Sequence, residues 1–326
     1  MLGLSLAYAL AADLAWFEAL FLGVKAAVLA IILQALFRIA GRALGSPLKW
    51  ILALSAFIAL AALSLPFPLV VLASLAIGIA IGGTRPSWLG VGSPARAAEG
   101  PRPWGESLKA LVTWGAIWAA PMLIVLATLG TGHVLWDVGL FFSKLAVVTF
   151  GGAYAVLAYM AQQAVDTYGW LAPGEMADGL GLAETTPGPL IMVTQFTGFL
   201  AGWRTPQPFT PLVAGMLAAG LTTWVTFAPC FLWIFALAPW MERLKSAPRL
   251  RAGLSAVTAA VVGVIASLAL WFALHVLFPL GLQGFALDWR AALLAALALA
   301  LTFGAKWTVL RVLAASAAGG LILAAL

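Results

Sequence analysis

Apolar runs about as long as a bilayer is thick recur from residue 15 to the end of the chain, separated by short polar stretches. About 20 consecutive apolar residues span a hydrocarbon core as an α-helix. Lipid offers no hydrogen bonds to the backbone, so only helices and closed barrels cross it. A barrel would show short segments of alternating polarity, which these runs do not. Only 9% of the 326 residues are charged, against roughly 25% in an ordinary soluble domain. Mean hydropathy is +1.07. The expectation is an all-α, polytopic integral membrane protein surrounded by membrane lipid.

The basic residues orient it. Eleven of the 17 Lys and Arg lie in three stretches, 38–49, 84–109 and 241–251. Basic loops are retained on the cytoplasmic side, so all three are expected inside, in a bacterial inner membrane. The net charge of +6 is thereby accounted for without a nucleic-acid partner. Spans are expected near 15–37, 48–65, 67–83, 110–129, 138–161, 208–240, 253–278, 290–304 and 307–326, with Pro229 breaking 208–240. The segment 162–240 starts and ends inside, so it crosses an even number of times. One crossing by 162–207, the preferred reading, gives about ten spans in all; two re-entrant segments would give about eight.

Enzyme chemistry finds little support. His133 and His275 have no metal-ligand spacing, and the single Cys230 excludes a disulfide within the chain. There is no HExxH, P-loop or GxSxG pattern. No cofactor, metal or catalytic residue is expected.

Residues 144–203 carry the most information. An apolar helix holds Lys144 and then Phe150-Gly151-Gly152-Ala153-Tyr154. A polar stretch follows with Asp166, Glu175, Asp178 and Glu184 and no base. Glu184-Thr185-Thr186-Pro187-Gly188-Pro189 then interrupts an apolar run. Each proline lacks an N–H and disfavours helix in the residue before it. A short helix over 173–185, a break at 185–188 and a new helix from Pro189 to about Trp203 follow. A broken helix at membrane depth must be covered by protein or line a water-filled cavity. Its restarted N-terminus offers free N–H groups at the positive dipole end, which suits an anion. A simple proline kink near the interface fits the same residues.

An internal repeat is also visible. GVKAAVLAIILQAL from Gly23 aligns without gaps to AVTAAVVGVIASLA from Ala256, matching at Val24/Val257, Ala26/Ala259, Ala27/Ala260, Val28/Val261 and Ile32/Ile265. A two-helix hairpin follows each copy, and the two copies run in opposite directions across the membrane. Inverted repeats are the architecture of many secondary transporters.

At Phe150-Gly151-Gly152-Ala153-Tyr154, Gly169-Trp170-Leu171 and Glu184-Thr185-Thr186-Pro187-Gly188-Pro189-Leu190, continuing through TQFTGFLAGW, the sequence resembles the chromate ion transporter family. LFLGVKAAVLAIILQALFRI looks like the end of that family's first half, and LSAVTAAVVGVIASLALWFALHVLF like the matching part of its second. The resemblance implies the tail of a first repeat at 1–83, a cytoplasmic linker at 84–109 and a complete second repeat at 110–326. It implies export of chromate from the cytoplasm, giving resistance, with sulfate as competitor. Sulfate or another oxyanion as the main substrate, and a half-transporter working as a homodimer or with a partner half, are the alternatives.

The candidate substrate-binding residues are Lys25, Lys144, Gly151, Gly152, Tyr154, Thr185, Thr186, Pro187, Gly188, Pro189 and Gln195. Lys25 is central in its span and hard to snorkel to an interface, which favours an inward-facing role. Lys144 either neutralises part of a bound dianion or snorkels to the outer interface. Gly151 and Gly152 allow close backbone approach, or only pack helices. Thr185 and Thr186 cap the helix beginning at Pro189 or donate hydroxyls to an oxyanion. Gln195 offers an amide donor. Glu184 is a proton-coupling candidate, a partner for Lys144, or an interfacial carboxylate.

Overall fold

The apolar runs fold as helices. The computed structural model describes residues 1–12, 14–92, 103–148, 153–186, 188–279 and 287–325, and no strand occurs among them. The elements in order are α1 (Leu2–Ala11), α2 (Ala15–Ala43), α3 (Pro47–Ala61), α4 (Phe67–Thr84), α5 (Trp104–Leu129), α6 (Val134–Val148) and α7 (Ala153–Gln162). Then come α8 (Pro173–Thr185), α9 (Val193–Arg204), α10 (Pro211–Leu237), α11 (Met241–Ser246), α12 (Pro248–Leu277), α13 (Trp289–Leu299) and α14 (Val309–Ala325).

Five of the described helices are long and apolar enough to cross a bilayer: Ala15–Ala43, Phe67–Thr84, Trp104–Leu129, Pro211–Trp240 and Pro248–Leu277. Leu2–Ala11, Pro47–Ala61, Trp289–Gly304 and Val309–Ala325 are apolar but shorter. The chain is an all-α, multi-pass membrane protein.

Two expectations are corrected. Pro229 does not break 208–240, because α10 runs through it from Pro211 to Leu237. One proline removes one hydrogen bond, and membrane helices tolerate that where neighbouring groups re-satisfy the freed carbonyl. Arg38 and Arg42 do not form a loop, because α2 continues to Ala43. Likewise α11 and the start of α12 make most of 241–251 helical. Charge ends the membrane-compatible run without ending the helix.

The residues divide into two units. One comprises Met1–Arg38, Leu157–Gly220 and Ile265–Leu326. Its core gathers Ala26 and Leu29 of α2 with Leu294 and Ala295 of α13, and Ala273 and Leu277 of α12 pack against them. Glycines bring α2 and α14 into backbone contact. A Cβ on Gly23 would run into the Ser316 carbonyl, and one on Gly320 into the Ala19 carbonyl. Without a hydrophobic drive between helices in lipid, small residues of this kind set the approach. Tyr8 of α1 packs edge-on against Phe21 of α2 and Phe196 of α9, with ring centres 5.4 and 5.1 Å away.

The other unit comprises Ile39–Val156 and Leu221–Val264. Ala56, Val70 and Ala260 form one of its apolar clusters. Hydroxyl and indole groups make several of its polar contacts. Ser107 donates to the Ala236 carbonyl (2.8 Å) and accepts from the Trp240 indole (2.7 Å), joining α5 to the end of α10 and the turn that follows it. Ser255 donates to the Leu89 carbonyl at 2.8 Å.

Candidate functional site

The site is built on α8, a helix fixed at both ends by side chains. Pro173 occupies its first turn, where a missing N–H costs nothing. The Glu175 carboxylate accepts from the Ala172 N–H at 2.7 Å. Arg204, last residue of α9, donates to Glu175 Oε2 (2.8 Å) and to the Trp170 carbonyl (2.7 Å). The start of α8 is thus tied to the end of α9. At the other end Thr185 and Thr186 donate to the Leu182 carbonyl at 2.8 and 2.9 Å. Backbone at Thr186 and Pro189 is extended, Leu190–Met192 forms a short 3₁₀ turn, and α9 follows. The expected short helix, break and restarted helix are all present.

Anchored this way, α8 carries Asp178 into the interior of its unit. Asp178 is 2% exposed and is the only charged residue so deeply buried among the described residues. Its Oδ2 accepts from the Tyr8 hydroxyl at 2.7 Å and lies 3.4 Å from the Lys25 ammonium. Its Oδ1 has no hydrogen-bond partner among the described residues. Lys25 reaches Asp178 past Gly174, where a Cβ would stand 2.9 Å from the Lys25 nitrogen. The ammonium therefore sits beside the first turn of α8, whose partial charge is also positive. Asp178 holds that concentration of positive charge together.

On its open side Lys25 lines a cavity of about 320 Å³ with Glu18, Ala19, Leu22, Arg290 and Gly320. Glu18 and Arg290 are exposed, while Lys25 is partly buried. Glu18 and Lys25 are seven residues apart and share a face of α2, so the lysine lies roughly 10 Å along the helix from the acid. Two cations of differing depth and one exposed carboxylate, Glu18, face one space, and the inner cation is backed by a buried acid. Such a site can hold a small anion.

The remaining predicted residues are distributed as follows. Thr185 lines a separate apolar cavity with Phe21, Val24, Leu182 and Leu313. Thr185 and Thr186 close the end of α8 and do not cap the next helix, which starts without a side-chain cap. Gly188 and Pro189 are exposed, and Gln195 and Glu184 are half-buried. Lys144, on α6, is exposed, and Tyr154, at the start of α7, is half-buried. Both belong to the other unit. Gly151, Gly152 and Pro187 lie outside the described residues. Sequence reasoning missed Asp178, Tyr8 and Arg290. Asp178 is one of three acids on α8, with Glu175 and Glu184, so no local pattern singles it out; the available signal was Lys25, a mid-span lysine that calls for an acidic partner.

A bundle of apolar helices in which a buried acid pairs with a partly buried lysine at the edge of a cavity is the arrangement expected of a membrane protein that handles ions. The comparisons narrow the class. The sequence model of the family described as Chromate transporter matches residues 136–321, more than half of the chain. This chain belongs to the chromate transporter family. It is 27% identical over 268 residues to a chromate transport protein of Cupriavidus metallidurans, covering 81% of this chain and 59% of that one. It is 27% identical to a probable chromate transport protein of Synechococcus elongatus, covering 82% and 60%. A chromate transport protein of Pseudomonas aeruginosa is 31% identical, covering 76% and 53%. The chain thus spans a little over half the length of these relatives. No solved structure matches it.

Proposed function

We propose that this protein moves chromate across the bacterial inner membrane, outward from the cytoplasm, and so confers resistance to it. The observation that carries the reading is Lys25: a cation in the interior of an apolar helix, beside a second cation, in a chain of this family. Chromate is a tetrahedral dianion that offers only hydrogen-bond acceptors and needs positive charge in a confined space. Lys25 supplies the inner charge and Arg290 the outer one. Lys144, Gly151, Gly152, Tyr154 and the Thr185–Pro189 break are proposed to contribute along the path, with Gln195 as an amide donor. The site recognises charge and shape, so sulfate is expected to compete. The order of one long helix and two shorter ones occurs at α2–α3–α4 and again at α12–α13–α14, which supports the reading of two related, inverted halves joined through 84–109.

Uptake of labelled chromate into everted membrane vesicles tests this. Vesicles carrying the chain should accumulate chromate when energised, and excess sulfate should reduce the uptake. Uptake no greater than in vesicles lacking the chain, whether it is expressed alone or with a longer relative, sinks the reading. Reporter fusions at Ser93 and Ser246 test the topology, and both should report the cytoplasm.

A further inference from the structure

We propose that Asp178 is the proton-binding residue of this site, and that it exchanges Lys25 for a proton each time the oxyanion binds. This rests on reading the Lys25 cavity as the oxyanion site, and it assigns the coupling to Asp178 in place of Glu184.

One ammonium has two claimants. In the structure Lys25 is 3.4 Å from Asp178 Oδ2 and also lines the cavity. A dianion entering that cavity draws on the same ammonium. Asp178 is then left as a buried carboxylate with a weakened counter-charge, and an uncompensated buried charge is strongly unfavourable. A proton removes the difficulty, and the carboxylate has one oxygen open to it. Oδ2 is occupied by the Tyr8 hydroxyl, whereas Oδ1 is buried with no partner among the described residues. Protonated there, Asp178 keeps the Tyr8 hydrogen bond and releases Lys25 to the anion.

The other charged groups around Asp178 are less suited to this exchange. Tyr8 on α1 already donates its proton to Asp178. On α8 itself, Glu175 is engaged by Arg204 of α9 and by the Ala172 N–H. Glu184 lies near the far end of that helix and is half-buried. Arg311 of α14 is exposed and cannot lose its proton. Glu18 and Arg290 are exposed at the cavity. Asp178 alone combines deep burial, an open oxygen and direct contact with the lysine.

The exchange balances. The resting site holds Lys25 as ammonium and Asp178 as carboxylate. The loaded site holds Lys25 as ammonium beside the dianion and Asp178 as the carboxylic acid. One O–H bond forms on Oδ1, with its proton supplied by hydronium or buffer acid in the bulk solution, and the same bond breaks on unloading, returning the proton there. Each dianion therefore enters with one proton.

The test is calorimetric titration of the purified, detergent-solubilised chain with sodium chromate, at a pH where chromate is the dianion. Buffers of differing ionisation enthalpy report the protons taken up; sodium sulfate is the second probe. The parent should take up about one proton per anion. Asp178→Asn should bind either anion with no proton uptake and with an affinity that no longer follows pH. On the parent chain alone, difference infrared spectra should gain a carboxylic-acid band when either anion is added, which keeps the proposal testable should the variant fail to fold. Anion binding with neither proton uptake nor the band overturns the proposal while leaving the transport reading intact. Proton uptake that survives in D178N and vanishes in Glu184→Gln overturns it in favour of Glu184. No binding of chromate or sulfate by the parent overturns both.

Discussion

Each unit of this protein has a lysine in an apolar helix and a proline-bearing segment, and the two units treat them differently. In the first, Lys25 is partly buried and paired with Asp178, and a polar cavity opens beside it. In the second, Lys144 is exposed. In the first, the segment around Pro189 parts α8 from α9; in the second, α10 runs through Pro229 without interruption. The difference lies in supporting groups. Pro187 and Pro189 flank a glycine, and two hydroxyls at Thr185 and Thr186 finish α8. Pro229 stands alone in an otherwise regular apolar run. A lysine becomes part of a site where a second helix brings an acid to it, and a proline becomes a break where its neighbours end the helix too.

The largest effect should come from breaking the ion pair. Lys25→Ala removes one member and leaves Asp178 buried without its counter-charge, a change that typically costs about 3–5 kcal/mol. Chromate export should fall at least tenfold, and thermal unfolding in detergent should shift well below the parent. The double variant Lys25→Ala/Asp178→Asn should recover most of the stability and none of the export. Recovery of both would make the pair a packing device only.

Next comes the break. Pro187→Ala/Pro189→Ala restores two N–H groups and permits one helix to run on from α8. The variant should accumulate normally in the membrane and lose most of its chromate export. Should it fail to accumulate, Gly188→Leu tests the same segment with both prolines kept, and it should lose export as well. Parental export by either accumulating variant reduces the segment to a kink.

Smaller effects are expected at the periphery. Arg290→Ala should raise the chromate concentration needed for half-maximal export several-fold, because an exposed cation contributes through solvent-screened attraction, and it should leave the maximal rate nearly unchanged. Lys144→Ala should reduce export modestly, and Lys144→Arg less. Equal, near-parental resistance in both returns Lys144 to a snorkelling role, whereas a loss as large as that of Lys25→Ala removes the contrast between the units.

Local rules carried the sequence reading a long way around the motif. The helix over 173–185, its end at the threonines and the restart near Pro189 all follow from proline's missing N–H and its effect on the preceding residue. Lys25 stood out because a mid-span lysine is costly wherever it occurs. Its partner did not, because Asp178 lies in a separate helix, far along the chain, and only tertiary packing brings α8 against α2. For Thr185 and Thr186 the sequence suggests either capping the helix ahead of them or donating hydroxyls to an oxyanion. A threonine hydroxyl reaches a carbonyl one turn back with equal ease, and the structure takes that option. Pro229 shows the converse, where a strong local signal is overridden by a long apolar helix on both sides. The ends of α2 and α12 extend past the apolar runs, because hydropathy marks where lipid stops and not where helix stops.

On the proposed reading the anion sits with Lys25. Equilibrium dialysis of labelled chromate against the purified parent, Lys25→Ala/Asp178→Asn and Lys144→Ala measures it directly. The double variant avoids an unpaired buried carboxylate, so its result reports the lysine. The parent and Lys144→Ala should bind within about twofold of each other, and the double variant should bind at least tenfold more weakly, a difference of about 1.4 kcal/mol or more. Parental affinity in the double variant, with binding lost in Lys144→Ala, would place the anion in the other unit and contradict the account.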